Sequence, residues 1–130
     1  MGYRIYDSGF TGPSEKEGAD EVTFFNWVRT NYPDTYGKLA FHVKNEGKRT
    51  RAQVQMEKAH GMTKGVSDII IPGNPTFVCE LKRKNKKDSK IYKEQKEYLT
   101  TAQEMGCFAC LCYGYEQAIL AFEEWRDPDK

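Results

Sequence analysis

The chain has 130 residues, 38% of them hydrophobic and 13% aromatic, and its net charge at pH 7 is +1. This length suits one compact domain, and the aromatic content argues against a disordered chain. No apolar run approaches the roughly 20 residues that a membrane helix requires. Residues 1–10 show no secretion-signal pattern, so we expect an intracellular, cytoplasmic protein.

The first predicted elements are an irregular arm and a helix. Residues 1–13 contain glycines and a proline and predict an irregular N-terminal arm, whereas residues 14–130 predict a single domain. Ser14 and Glu17 have the spacing of a capping box, and a helical pattern follows to about residue 31. Apolar and polar residues then alternate over 39–44, which predicts a strand.

The remaining elements follow from hydrophobic periodicity and turn residues. In chain order they are a helix at about 50–60, strands at 66–71 and 76–82, a helix at about 90–105, a strand at 107–113 and a helix at about 116–125. The strand at 107–113 is apolar throughout, as expected for a strand covered on both faces. This order predicts an α/β fold with a mixed central β-sheet flanked by helices.

A basic segment spans residues 82–96, with eight Lys or Arg residues against two acidic ones. On a near-neutral chain, such a stripe indicates contact with a polyanion. Charge alone fits a solvated, lysine-rich loop equally well.

Three residues of the two middle strands form the main candidate site. Glu80 and Lys82 share one strand face, because side chains alternate along a strand. Asp68 interrupts an apolar run, where an unpartnered acid is costly. A hairpin pairing 71 with 77 and 68 with 80 would bring the two acids roughly 4.5–5.5 Å apart at Cβ. Two carboxylates this close require a proton or cation between them, and oxygen ligands suit Mg²⁺ or Mn²⁺. An exposed acid pair neutralised by lysines is the alternative.

Two further polar residues lie on helix stripes that otherwise face the core. Glu21 is in register with the apolar residues of its helix, and Gln95 lies between Ile91 and Leu99. Glu21 either reaches a polar site or is a first-turn acid favoured by the helix dipole. Gln95 either binds a ligand water or hydrogen-bonds a backbone carbonyl.

The cysteines and histidines carry weaker signals. Cys79, Cys107, Cys110 and Cys112 fall in predicted strands, so we interpret them as buried reduced thiols. Cys107 and Cys110 have CxxC spacing but no glycine-rich knuckle, which disfavours a zinc or redox site. His42 is better explained as a near-site or satisfied residue than as a metal ligand.

Several segments, in order, resemble a known nuclease signature. Residues 65–68 (GVSD), 79–82 (CELK) and 94–99 (EQKEYL) resemble the PD-(D/E)xK motifs, in the variant called VRR-NUC, the virus-type replication-repair nuclease domain. Residues 41–49 resemble its Asn-Gly-Arg segment, and 106–109 with 113–118 its last strand and helix. The resemblance covers about 17–125, with Ser67 where the motif usually has proline.

This resemblance implies a restriction-endonuclease-like core with an inserted helix and a metal-dependent deoxyribonuclease activity. Asp68, Glu80 and the backbone carbonyl of Leu81 would hold Mg²⁺ or Mn²⁺, and Glu21 would add a direct or water-mediated contact. Lys82 would orient the attacking water or stabilise the transition state, and Gln95 would position the lysine or the water.

The implied partner is DNA, branched or junction-like, in phage or bacterial replication or repair. Stand-alone members resemble Holliday-junction resolvases that act as homodimers. A DNA-binding protein of the same fold without cleavage, and an unrelated metabolic α/β domain, are the alternatives. The expected DNA contacts are Lys44, Asn45, Lys48, Arg49, Arg51, Lys64, Arg83 and Lys84.

Overall fold

The structure is a computed structural model that describes residues 2–44 and 50–129. Within these ranges it confirms the predicted fold class: one five-stranded mixed sheet with helices packed against its faces. The strands are β1 (Arg4–Tyr6), β2 (Phe41–His42), β3 (Ile69–Ile71), β4 (Phe77–Lys82) and β5 (Phe108–Tyr113). The helices are α1 (Glu17–Asn31), α2 (Tyr36–Leu39), α3 (Arg51–Ala59), α4 (Lys93–Glu104) and α5 (Tyr115–Arg126).

The strands run in the order β1-β5-β4-β3-β2. Strand β5, which lies between the edge strand β1 and the central strand β4, pairs in parallel with both. It is buried along nearly its whole length, as its apolar sequence predicts. Strands β4 and β3 form an antiparallel hairpin in which Ile71 pairs with Phe77 and Ile70 with Val78. The predicted hairpin register is therefore confirmed.

The two faces of the sheet have separate cores. Phe77, Cys79 and Leu81 of β4 belong to the larger core, which also contains buried residues of α1 and α5. Val78, on the opposite face, packs in a smaller core with Leu99 of α4. Glu80 and Lys82 share the second face with Val78, so their side chains stand beside α4 rather than in the larger core.

The N-terminal arm departs from the prediction. Residues 4–6 form the edge strand β1 rather than irregular structure, pairing with Cys110–Cys112 of β5. Tyr6 is buried in the larger core, and its hydroxyl donates a 2.6 Å hydrogen bond to Glu124 of α5. Three residues are too few to show a strand period, which is why the pattern did not reveal this strand.

The start of α1 also differs. The predicted capping box at Ser14 is wrong: α1 begins at Glu17, after Lys16, and the Ser14 hydroxyl donates instead to Asp88 at 2.7 Å. The predicted strand over 39–44 is shorter, because Leu39 closes the short helix α2. By contrast, Thr50 and Gln53 form a capping box at α3, so the inserted helix begins where predicted.

None of the helices in the described ranges is long and apolar enough to cross a membrane.

Candidate active site

A cleft of about 540 Å³ opens where the β3–β4 hairpin meets the first turns of α1 and α4. Asp68 directly precedes β3, and Glu80 and Lys82 lie at the end of β4. Glu17 is the first residue of α1, and Gln95 lies in the first turn of α4. All five residues line the cleft.

The acids of this cleft converge on one point. Glu17, Asp68 and Glu80 each place a carboxylate oxygen so that the three oxygens lie within 4.8 Å of one another. The Leu81 amide donates a 3.0 Å hydrogen bond to Asp68 Oδ2, which holds the Asp68 carboxylate against β4. The structure thus brings Asp68 and Glu80 together as the hairpin register predicts.

Glu80 is the most deeply buried acid of this group, with 1% of its surface exposed. Its Oε2 accepts a 3.2 Å hydrogen bond from Gln95 and lies 3.7 Å from the Lys82 ammonium. Among the described residues, none hydrogen-bonds its other oxygen, Oε1. Burial, and then the neighbouring charge of Asp68, raise the pKa of Glu80 to about 10, although the charge of Lys82 opposes the rise.

Lys82 and Gln95 have well-defined surroundings. Lys82 is 6% exposed, and its ammonium lies 5.9 Å from the centre of the Tyr92 ring. The Tyr92 amide donates a 2.8 Å hydrogen bond to Gln95 Oε1, which leaves the amide nitrogen of Gln95 directed at Glu80. The side chain of Gln95 therefore ties the start of α4 to the end of β4.

A glycine couples the loop before Asp68 to the same helix. Gly65 has φ +83°, and a Cβ there would lie 2.4 Å from the carbonyl oxygen of Glu94. Because neither this backbone angle nor this contact tolerates a side chain, only glycine lets the loop approach α4 so closely. Ser67 is fully buried in this loop.

Glu21 lies elsewhere, one helical turn beyond Glu17. Its Oε2 is 2.7 Å from His42 Nδ1, and both residues line a second cavity of about 300 Å³. The structure therefore places Glu17, rather than Glu21, beside Asp68 and Glu80. The four-residue spacing of these two acids along one helix was the available signal. In the sequence, the capping-box spacing of Ser14 and Glu17 explains Glu17 without a role in the site.

The expected DNA contacts divide into three groups. Lys44 and Arg51 are exposed, and Lys64 lines the cleft, 3.3 Å from Glu94. Arg83 and Lys84 bind within the molecule: Arg83 donates to the carbonyls of Ser14 and Glu15, and Lys84 donates to Glu116. Asn45, Lys48 and Arg49 lie outside the described residues.

The CxxC pair does not form a site, because its two cysteines belong to opposite faces of the sheet. Cys107 packs at the smaller core. Cys110 is buried in the larger core with Cys79 and Cys112, where the three sulfurs lie within 4.8 Å of one another. All four cysteines are free thiols.

The donor set of the cleft fits a hard divalent cation. Three carboxylates supply oxygen ligands only, which suits Mg²⁺ or Mn²⁺ better than softer metals. Burial beside Asp68 raises the pKa of Glu80 and so favours its protonated form, and Oε1 accepts no hydrogen bond from the described residues. A bound cation would favour the ionised form of Glu80 and would be a partner for this oxygen.

Comparison with known proteins supports the same fold. A solved structure described as a VRR-NUC domain protein superposes with a TM-score of 0.71, covering 89% of this chain and 90% of that one at 18% sequence identity. No family model matches the sequence, and no curated protein matches it. The chain therefore has the nuclease-domain fold of the VRR-NUC domain, built on its five-stranded mixed sheet.

Proposed function

We propose that this protein is a metal-dependent DNA nuclease, a structure-selective endonuclease that hydrolyses phosphodiester bonds. The observation that carries this proposal is the convergence of Glu17, Asp68 and Glu80 beside a buried lysine in one cleft. The clustered acids offer a cation site, and the lysine beside them offers a positive group for a phosphate.

The cation proposed for this cleft is Mg²⁺ or Mn²⁺. Asp68 and Glu80 would hold it, with Glu17 and the backbone carbonyl of Leu81 as further oxygen ligands. When bound, such a cation lowers the pKa of a coordinated water and offsets negative charge on a phosphate.

The chain's own residues prepare the cleft for this chemistry. The Leu81 amide fixes Asp68, and the Gln95 amide fixes one oxygen of Glu80 so that the other stays available. Lys82, held among Glu80 and Tyr92, presents an ammonium that would stabilise the additional negative charge of a phosphorane-like transition state.

The proposed substrate is DNA with branches or junctions, cut during phage or bacterial replication or repair; this part rests on the resemblance of the motifs. Lys44, Arg51 and Lys64 supply exposed positive charge near the cleft and inserted helix for backbone phosphates.

Equilibrium sedimentation tests the proposed homodimer, and a single species of 15.0 kDa across the concentration range contradicts it.

The deciding experiment is cleavage of labelled junction, flap, hairpin, linear and single-stranded DNA with Mg²⁺, Mn²⁺ or EDTA. We expect metal-dependent cleavage that prefers one branched substrate. Asp68→Asn keeps an acceptor for the Leu81 amide but removes the charge. We therefore expect the rate of DNA cleavage to fall by at least about 100-fold. Asp34→Asn, at an exposed acid outside the cleft, is the matched control.

Two results point to the alternatives. Salt-dependent DNA binding without cleavage in either metal supports a binding protein of the same fold. DNA affinity that hardly changes with salt, together with no cleavage, supports an unrelated domain with a lysine-rich surface.

A further inference from the structure

We propose that Glu21 and His42 form a positioning pair that orients Asp68 toward the cation, an inference that rests on the proposed function. His42 Nδ1 lies 2.7 Å from Glu21 Oε2 and 3.1 Å from the backbone carbonyl oxygen of Asp68. The same Asp68 carbonyl accepts a 2.9 Å hydrogen bond from the amide of Val43. The pair therefore contacts the main chain of a proposed ligand rather than the cluster of carboxylates.

The hydrogen on His42 can be assigned from its neighbours. A carbonyl oxygen only accepts hydrogen bonds, so the Nδ1 atom facing Asp68 must carry the hydrogen. The Glu21 carboxylate faces the same nitrogen and accepts from it, which fixes both the tautomer and the rotation of the ring. In other proteins a carboxylate behind a metal-ligating histidine fixes the orientation of that ligand; here the histidine would instead fix the main chain of the ligand Asp68.

Asp68 needs this support because of its position in the sheet. It precedes a three-residue strand, β3, that pairs on its outer side with a two-residue edge strand, β2. Such short pairing leaves the main chain of Asp68 held by few ladder hydrogen bonds. Val43 and His42 hold its carbonyl from one side, and Leu81 holds its carboxylate from the other.

The location of Glu21 fits a positioning residue better than a direct metal ligand. Glu21 lines the second cavity together with Gly18 and His42, whereas Glu17 and Val43 line the cleft. The pair thus stands at the boundary between the two cavities. It meets the proposed cation site through the contact of His42 with the Asp68 carbonyl.

The experiment measures Mn²⁺ affinity of the metal-free protein by calorimetric titration, which needs no DNA cleavage. We expect Glu21→Ala and His42→Ala each to raise the Kd for Mn²⁺ about 10-fold. The double variant should show little further loss, because both substitutions break one unit.

Conservative variants give the sharpest comparison. His42→Asn retains a donor near Nδ1, and Glu21→Gln retains an acceptor, so we expect both to keep Mn²⁺ affinity within about threefold of the wild type. Asp34→Ala, at an exposed acid, controls for loss of charge alone. Should the alanine variants unfold, the asparagine and glutamine variants still test the inference.

Three outcomes would count against these proposals, and they are distinguishable. If Glu21→Gln loses Mn²⁺ affinity as strongly as Glu21→Ala, Glu21 acts through its charge as a ligand and the positioning role is overturned. Unchanged affinity in the folded alanine variants also overturns it. A wild-type protein that binds Mn²⁺ yet cuts no DNA contradicts the proposed function alone.

Discussion

At the scale of single residues, Glu80 has the surroundings that the proposed cation would balance. Its carboxylate is buried on the face of β4 opposite the larger core, next to Asp68 and with one oxygen unbonded among the described residues. Burial and the charge of Asp68 together favour its protonated form. Replacing Glu80 with an uncharged side chain should therefore cost the metal-free protein little stability, but it should remove metal binding if Glu80 is a ligand.

Glu80→Gln tests this distinction. Glutamine fits the same space and keeps an acceptor for Gln95, so we expect the metal-free variant to be at least as stable as the wild type. Mn²⁺ at 100 times its Kd should stabilise the wild type by about 2.7 kcal/mol and should not stabilise the variant. Scanning calorimetry with and without Mn²⁺ measures both. Equal stabilisation of the two proteins would show that Glu80 is not a ligand.

At the scale of secondary structure elements, an acid of α1 caps another helix. Asp20 is buried, and its Oδ1 accepts a 3.2 Å hydrogen bond from the amide of Tyr115, the first residue of α5. This contact satisfies a free amide at a helix N-terminus and joins α1 to α5. Burial nevertheless raises the pKa of Asp20, and the bond to the Tyr115 amide only partly offsets it.

Asp20→Asn should separate the cap from the charge. Because the folded-state pKa is raised, the folded protein binds more protons, and the contribution of Asp20 to stability falls as pH rises above its unfolded value of about 3.9. Asparagine keeps the acceptor but cannot ionise. The stability of the variant relative to the wild type should therefore increase between pH 4 and pH 7. Asp20→Ala removes the acceptor as well as the charge, so it should lose about 1–2 kcal/mol relative to the wild type at pH 4 and less than that at pH 7. Urea unfolding at the two pH values measures these differences, and a gain independent of pH would contradict the burial argument.

At the scale of the whole molecule, the basic segment holds the N-terminal arm. The Arg83 guanidinium donates hydrogen bonds of 2.7 Å to the carbonyl of Ser14 and 3.0 Å to that of Glu15, and Asn85 donates to Gly12. These contacts join chain segments about 70 residues apart, just before the first turn of α1. They therefore help to place Glu17 in the cleft.

Arg83→Ala should lower the free energy of unfolding by about 1 kcal/mol, since its charge-assisted bonds are only partly shielded from solvent. Urea unfolding and DNA affinity are measured together, with the exposed Lys96→Ala of the same segment as control. If Arg83→Ala binds DNA more weakly than the wild type but is equally stable, Arg83 contacts DNA.

The sequence by itself determined the α/β class, the β3–β4 register and the convergence of Asp68, Glu80 and Lys82, because alternation and hairpin pairing are local. Only the tertiary structure decided that Glu17 rather than Glu21 enters the cleft, since this depends on where α1 begins and how it packs. The same holds for β1, and for Arg83, whose partners lie far away in the chain. The charge pattern of a sequence shows where basic residues lie along the chain. It does not show which of them form hydrogen bonds with other parts of the same molecule.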